Sequence, residues 1–214
     1  MSLAGAGDHI DLDQHTRHHL SRVLKYPDGG LVTYTDGAGL LGSGALDGGA
    51  VARGNEQVLA RLGRLTVAVA PPHETARARF VVEKLSELGV DRLLWLRTAR
   101  GEGRVPRVDK ARAWAGTALE QSRGVWLMEV GDEVTVGGIG EWGTPIFADS
   151  GGAAIGGLGH IADPVLCVGP EGGFAPDEIP DGAATVHLGD TVLRVETAAI
   201  VGAAILRACV GPDG

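Results

Sequence analysis

No run of about 18 apolar residues occurs in the chain. A helix that crosses a bilayer needs about 20 such residues, so no membrane span is expected. The opening MSLAGAGDHIDLDQ lacks a basic cluster followed by an apolar stretch, so no secretory signal is expected either. Cysteine is nearly absent. The two present, Cys167 and Cys209, lie in apolar surroundings and read as reduced core thiols of a cytoplasmic protein. No G-x-S-x-G occurs, and no glycine-rich loop carries the lysine of a phosphate cradle. Internal repeats and low-complexity tracts are missing. Positive charge is scarce in the last part of the chain: residues 125–214 hold 2 Lys/Arg against 13 Asp/Glu. With a net charge of −8 the chain is no general polyanion binder.

What is there is an ordinary globular composition, 44% hydrophobic and 21% charged over 214 residues. That length suits one large domain, or a small domain joined to a medium one. Glycine is abundant, at 35, which implies many turns and close backbone approaches. The basic residues concentrate in the middle: residues 65–124 hold 11 Lys/Arg against 7 Asp/Glu. The densest run, RTARGEGRVPRVDKAR at 97–112, has six basic and two acidic residues. Such a patch steers anionic partners despite the net charge, or is simply a solvated loop and helix face.

Two styles of sequence meet near residue 64. Before it, short β-like pieces such as LVTYTDGAG and GLLGSGALDGG alternate with turn residues, as in a small all-β module. HTRHHLSRVLKY is the exception. His19, Leu20, Val23 and Leu24 share one helical face, which predicts a helix packed on the sheet. After residue 64 strands and helices alternate. LTVAVA and RLLWLR are continuous apolar runs of the kind buried on both faces. Between them lies a helix with Val81, Leu85 and Leu88 at helical spacing and Gly89 as its stop. VDKARAWAGTALEQSRG is a second helix, with Asp109 as N-cap and Gly124 as stop. PIFAD, VLCVG and TVHLG are further strands, and a small-residue apolar helix closes the chain. This alternation predicts a parallel α/β sheet, with domains at 1–64 and 65–214.

Three motifs invite other readings. GAGLLG at 37–42 matches a dinucleotide fingerprint, but that motif opens a helix. Here it runs into SGALDGG, which favours a hairpin turn. GLGHIA at 157–162 is followed at once by Asp163-Pro164, which prevents a helix start. HTRHH has no cysteine nearby and no second cluster to complete a metal site.

The chemistry gathers at three strand ends. PIFAD ends at Asp149 and a glycine-rich stretch, VLCVG runs into GPEGGF, and TVHLG runs into DTVLRVETA. In parallel α/β sheets ligands bind in the crevice outside these carboxyl ends. Glycines allow backbone groups to approach a flat ligand, and Leu188 and Leu193 offer apolar walls. A buried Arg194 and Glu196 near this crevice are costly unless paired with each other or functional.

HHLSRVLK, EKLSELGV, ALEQSRG, VGPEGGF and LGDTVLRVETA occur in the order seen in the RsmE family of 16S rRNA uridine-N3 methyltransferases, of the SPOUT or trefoil-knot class. The chain resembles that family from about His18 to Arg207. The resemblance implies a PUA-like β-barrel for RNA, followed by a parallel-sheet α/β trefoil-knot domain through which two chains pair as a homodimer. It implies S-adenosylmethionine held by three loops: Ala148-Asp149; Val168-Gly169-Pro170-Glu171-Gly172-Gly173; and Leu188-Gly189 through Leu193-Arg194, with Thr197 and Ala198 beyond. The partner implied is 16S rRNA in the small ribosomal subunit, with no membrane and no metal, since a sulfonium methyl is already a strong electrophile.

The target N3 carries a proton on the base-pairing edge, so the base must be unpaired or flipped out. A carboxylate takes that proton, and a cation stabilises charge on the flanking carbonyls. Arg194 is the expected cation. Glu196 is the first choice of base or of partner orienting Arg194, and Glu171 the second. RNA contacts are expected from Arg17, His18, His19, Arg22 and Lys25 in the first domain, and from Arg97, Arg100, Arg104, Arg107 and Arg123 in the second. The chain departs from the family in its opening residues, in the turn APPHETAR and in the small-residue segment 149–164. Two alternatives stay open: a SPOUT methyltransferase with another RNA target, and a non-catalytic cofactor-binding RNA or ribosome-assembly module.

Overall fold

A computed structural model describes residues 7–61 and 63–210. The chain divides into two compact units, Met1–Ala60 and Arg61–Gly214. The expected boundary lay at 64/65. The opening residues 1–6, which depart from the resembled family, lie outside the described residues.

The first unit is a four-stranded antiparallel sheet in the order β1-β4-β3-β2, with β1 and β2 at its edges. Its strands are β1 (His9–Asp11), β2 (Leu31–Thr35), β3 (Leu40–Asp47) and β4 (Ala50–Val58). GAG at 37–39 is the turn between β2 and β3, and LLG already belongs to β3. Asp36 Oδ1 accepts from the backbone N–H of Ala38 (2.7 Å) and Leu40 (3.0 Å). Ile10, Leu12, Leu46 and Val51 form a small core, and Leu20, Val32 and Tyr34 pack against it. The helical stretch is split into α1 (Gln14–His18) and a π-helical turn (His19–Val23). Its expected apolar face is only partly used: Leu20 packs, whereas Val23 is 61% and Leu24 55% exposed.

The second unit is a six-stranded sheet in the order β10-β8-β9-β5-β6-β7, in which every neighbouring pair is parallel. The strands are β5 (Thr66–Val69), β6 (Arg92–Arg97), β7 (Glu129–Thr135), β8 (Thr144–Ala154), β9 (Pro164–Val168) and β10 (Ala184–His187). Side-chain alternation sends Val67, Val69, Leu93, Trp95, Leu166 and Val168 to one face. There they meet α2 (Thr75–Glu87), α3 (Val108–Ser122) and α4 (Val195–Cys209). The other face is covered thinly. Ala68, Leu94, Leu96, Phe147, Val165 and Cys167 meet a 3-10 helix through Val136 and Ile139, and a loop through Phe174. The central strands are thus buried on both sides, which explains their continuous apolar runs.

Three local expectations are corrected. Asp109 does not cap α3. The N-cap is Arg107, whose guanidinium pairs with Asp109 at 2.7 Å in the first turn. The stretch after Asp149 is not a free loop but the remainder of β8. Phe147 pairs with Thr185 and Ala153 with the next residue, Val186, so residues 148–152 bulge out between them. Gly152 is required there, because a Cβ would strike the Thr185–Val186 backbone. Cys209 is exposed rather than in the core, while Cys167 is buried. Burial pushes the Cys167 thiol up to about 12, leaving roughly one part in ten thousand as thiolate at pH 8. Native protein treated with a disulfide reagent at pH 8 is therefore expected to lose one thiol, Cys209, quickly. Two thiols reacting at equal rates would contradict the burial.

Candidate active site

A cleft of about 400 Å³ opens between the β8 bulge and the carboxyl ends of β9 and β10. Each wall follows from a local feature. The β8 bulge brings Ala148, Asp149 and Ser150 to the rim, and Asp149 Oδ1 fixes the bulge by accepting from Gly151 N–H at 2.8 Å. β9 stops at Val168, where Gly169-Pro170 ends the ladder, and the turn closes with Gly173 N–H donating to Pro170 O at 2.8 Å. The third wall runs from Leu188 and Gly189 to Leu193, with Ala198 of α4 behind it.

The glycine turn is held from three sides. Phe174 is buried beneath it and meets Phe147 edge to face, with ring centroids 5.4 Å apart. Arg100 Nη1 donates to the carbonyls of Gly172 (2.8 Å) and Phe174 (3.1 Å). Glu178 accepts from Ala99 N–H (2.6 Å) and Ala175 N–H (2.7 Å), tying the following loop to the end of β6. Gly169 lies against Phe174: a Cβ there would sit 3.1 Å from the ring. At Gly173 and Gly189 nothing lies within 4 Å of a Cβ position, so the space beside them is open. The cleft therefore offers backbone amides and carbonyls, apolar walls at Leu188 and Leu193, and carboxylates at Asp149 and Glu171. Such a donor set fits a flat, uncharged ring joined to a cationic centre.

Of the residues expected to hold a cofactor, the Ala148-Asp149 pair, the Val168 to Gly173 turn, Leu188, Gly189, Leu193 and Ala198 all line this cleft. Arg194 and Thr197 do not; both are exposed in the first turn region of α4. The expected burial of Arg194 is thus corrected. It is the N-cap residue, its carbonyl accepts from Ala198 N–H at 2.8 Å, and its guanidinium has no partner among the described residues. Glu196 is buried, but it does not pair with Arg194. Its Oε1 lies 3.9 Å from Arg77 Nε, and its Oε2 is buried without a hydrogen bond.

Arg77 is the residue that sequence reasoning missed. From the first turn of α2 it reaches Glu74 (3.6 Å), Glu171 (3.8 Å) and Glu196 (3.9 Å). It links the glycine turn to the start of α4. The one available signal was the charged ETAR that follows the β5 end, and nothing in the pattern joined it to residues far along the chain.

The expected RNA-facing cations scatter. His18, His19, Arg22 and Lys25 are exposed in the first unit, where Arg17 Nε donates to Leu12 O at 2.6 Å. In the second unit Arg97 pairs with Glu133 and Arg107 with Asp109. Arg123 closes α3 in a left-handed conformation, φ 54°. Arg104 is exposed and has no partner among the described residues. No group of His, Cys, Asp or Glu that could hold a metal occurs among the described residues, and no helix among them is long and apolar enough to cross a membrane.

A family model described as an RNA methyltransferase domain matches residues 60–207. Ribosomal RNA small subunit methyltransferase E of Mycobacterium bovis and that of Mycobacterium tuberculosis are each 35% identical over 164 residues. The match covers 64% of this chain and only 60% of the relatives' length. Among solved structures, a probable rRNA-methyltransferase from Porphyromonas gingivalis superposes with a TM-score of 0.82, at 23% identity over 96% of this chain and 94% of that one. Ribosomal RNA small subunit methyltransferase E from Neisseria gonorrhoeae, solved bound to S-adenosyl methionine, gives 0.82 at 22% identity, over 97% and 94%. At these identities the superpositions establish the shared fold.

Proposed function

Because this chain belongs to the RNA methyltransferase domain family, we propose that it methylates N3 of a uridine in small-subunit ribosomal RNA, using S-adenosylmethionine. The single observation that carries the reading is the glycine-walled cleft between the β8 bulge and the ends of β9 and β10, whose open glycine turn, apolar walls and acidic lining suit that cofactor. When bound, S-adenosylmethionine supplies an electrophilic methyl group. Gly169 to Gly173, Leu188-Gly189 and Leu193 would hold it, and Asp149 would balance its positive charge.

The chain's own residues do the rest. Glu171, on the cleft wall and with a side chain 49% exposed, accepts the N3 proton. Glu196, the first choice from sequence, is enclosed beside Arg77 and serves to place that arginine. Arg77 in turn aligns Glu171. Arg194, uncommitted beside the cleft, stabilises negative charge that develops on the uracil carbonyls. The antiparallel unit forms the RNA-binding module, a PUA-like barrel, with His18, His19, Arg22 and Lys25 toward phosphate, and Arg104 adds a cation from the second unit. The second unit has the trefoil-knot topology and pairs with a second copy. These last points rest on the resemblance to the RsmE family.

Titration calorimetry with S-adenosylmethionine tests the cofactor assignment. Binding with one site per chain and a Kd below about 1 mM is expected. No detectable binding would end the reading. Nucleoside analysis of small-subunit rRNA after incubation with enzyme and cofactor then identifies the methylated base.

A further inference from the structure

The 400 Å³ cleft is not alone at the glycine turn. A second hollow of about 220 Å³ lies against it, and Arg100, Pro170, Glu171 and Gly172 line both. Its other walls are Pro71 and His73 of the β5–α2 loop, and Glu102 and Gly103 of the loop after β6. The two loops are locked together: a Cβ on Gly103 would collide with the Pro71 carbonyl. His73 Nε2 stands 3.9 Å from Glu102 Oε2. Arg100 uses only Nη1 to hold the turn, so its Nε and Nη2 are free donors among the described residues.

Charge and size limit what fits. Two carboxylates, Glu102 and Glu171, stand against one arginine, so a phosphate is disfavoured. The volume lies below the about 300–1,000 Å³ of pockets for drug-sized ligands, which suits a single small ring. The wall offers donors at Arg100 and His73 and an acceptor-only carboxylate at Glu171. The pairing edge of uracil reads C2=O, N3–H, C4=O, that is acceptor, donor, acceptor. Cytosine presents an unprotonated N3 and an amino group instead, and would set an acceptor against Glu171 and a donor against a donor.

We propose that this second hollow seats the flipped target uracil, with N3–H donating to Glu171, C4=O accepting from Arg100 and His73, and C2=O left at the junction with the cofactor cleft for Arg194. The inference rests on the uridine-methyltransferase reading and adds the seat of the base. Pro71 and Pro170 give the ring apolar contact. Glu171 and Gly172 form the shared wall, so N3 comes to rest at the junction with the cofactor cleft. His73 is a positioning and specificity residue rather than a catalytic one.

The test uses the full chain and small-subunit rRNA. For His73→Ala, kcat/KM for rRNA is expected to fall about 10–100-fold, the usual cost of a lost base-reading hydrogen bond. The Kd for S-adenosylmethionine and the melting temperature are expected to stay at wild-type values, and His73→Gln, which keeps a donor, recovers part of the loss. Photocrosslinking of rRNA with 4-thiouridine at the methylated position is expected to label residues 71–73 or 100–103. Wild-type kcat/KM in His73→Ala, or a crosslink confined to other segments, overturns the seat while leaving the enzyme assignment intact. A wild-type protein that binds cofactor but methylates no uridine removes both.

Discussion

Glu171→Gln is expected to lower single-turnover methylation of small-subunit rRNA by about 10²–10⁴-fold, the range of a lost general base, while cofactor affinity changes no more than a few-fold. Glutamine keeps the shape and an oxygen for the loop but cannot take the N3 proton. Affinity is preserved because the turn is held by Arg100, Glu178 and Phe174 rather than by the Glu171 side chain. Arg194→Ala, in the same assay, is expected to cost about 10²–10³-fold, as for removal of one group that stabilises an oxyanion. Its carbonyl, not its side chain, starts α4, so helix content and melting temperature should hold. Full single-turnover rates at saturating RNA in either variant would remove the assigned role. If Glu171→Gln instead abolishes cofactor binding with the turn intact, the carboxylate belongs to the cofactor site alone.

Asp91→Ala is expected to have the largest effect on stability. Asp91 is 9% exposed at the start of β6. Its carboxylate accepts from Arg61 Nε (2.7 Å), Leu65 N–H (2.8 Å) and the guanidinium of Arg207 near the end of α4. Its backbone N–H donates to Leu65 O, and its carbonyl accepts from Glu129 N–H. One residue thus joins the starts of β5, β6 and β7 to the last helix. Alanine leaves two guanidinium groups and an amide without their acceptor, and Arg207 Nε already lacks a partner. Breaking a mostly buried charge pair costs about 3–5 kcal/mol. For a unit of this size each kcal/mol moves the midpoint by about 2–4 °C, so a fall of about 10 °C is expected by calorimetric scanning. Asp91→Asn keeps an acceptor and should lose less. A shift under about 2 °C for alanine would show that water replaces the carboxylate at no cost.

Much of the second unit was legible. The runs LTVAVA, RLLWLR and VLCVG are apolar because their strands have neighbours on both sides and cover on both faces, so pattern alone identifies them. The edge strand β7 was not legible. EVGDEVT has a mostly exposed, acidic face, with Arg97 and Arg92 of β6 reaching over to Glu133 and Glu129. An edge strand with charged positions looks like a loop when read one residue at a time. The β8 bulge was hidden for a similar reason: a glycine-rich stretch reads as flexible, yet Gly152 is there to let β8 and β10 backbones touch.

The sequence by itself determined the alternating α/β architecture, the glycine turn at the end of β9 and the place of the cleft. These depend on local pattern, on periodicity and on glycine at a strand end. Only the tertiary structure decided which charges meet. Glu196 is enclosed with Arg77 rather than Arg194, and Arg100 serves the glycine turn instead of standing free in the basic run. Parallel strands need long crossover connections, so residues far apart in the chain become neighbours at the strand ends. No local spacing encodes those pairs, and the proposed roles of Arg77, Glu171 and His73 follow from them.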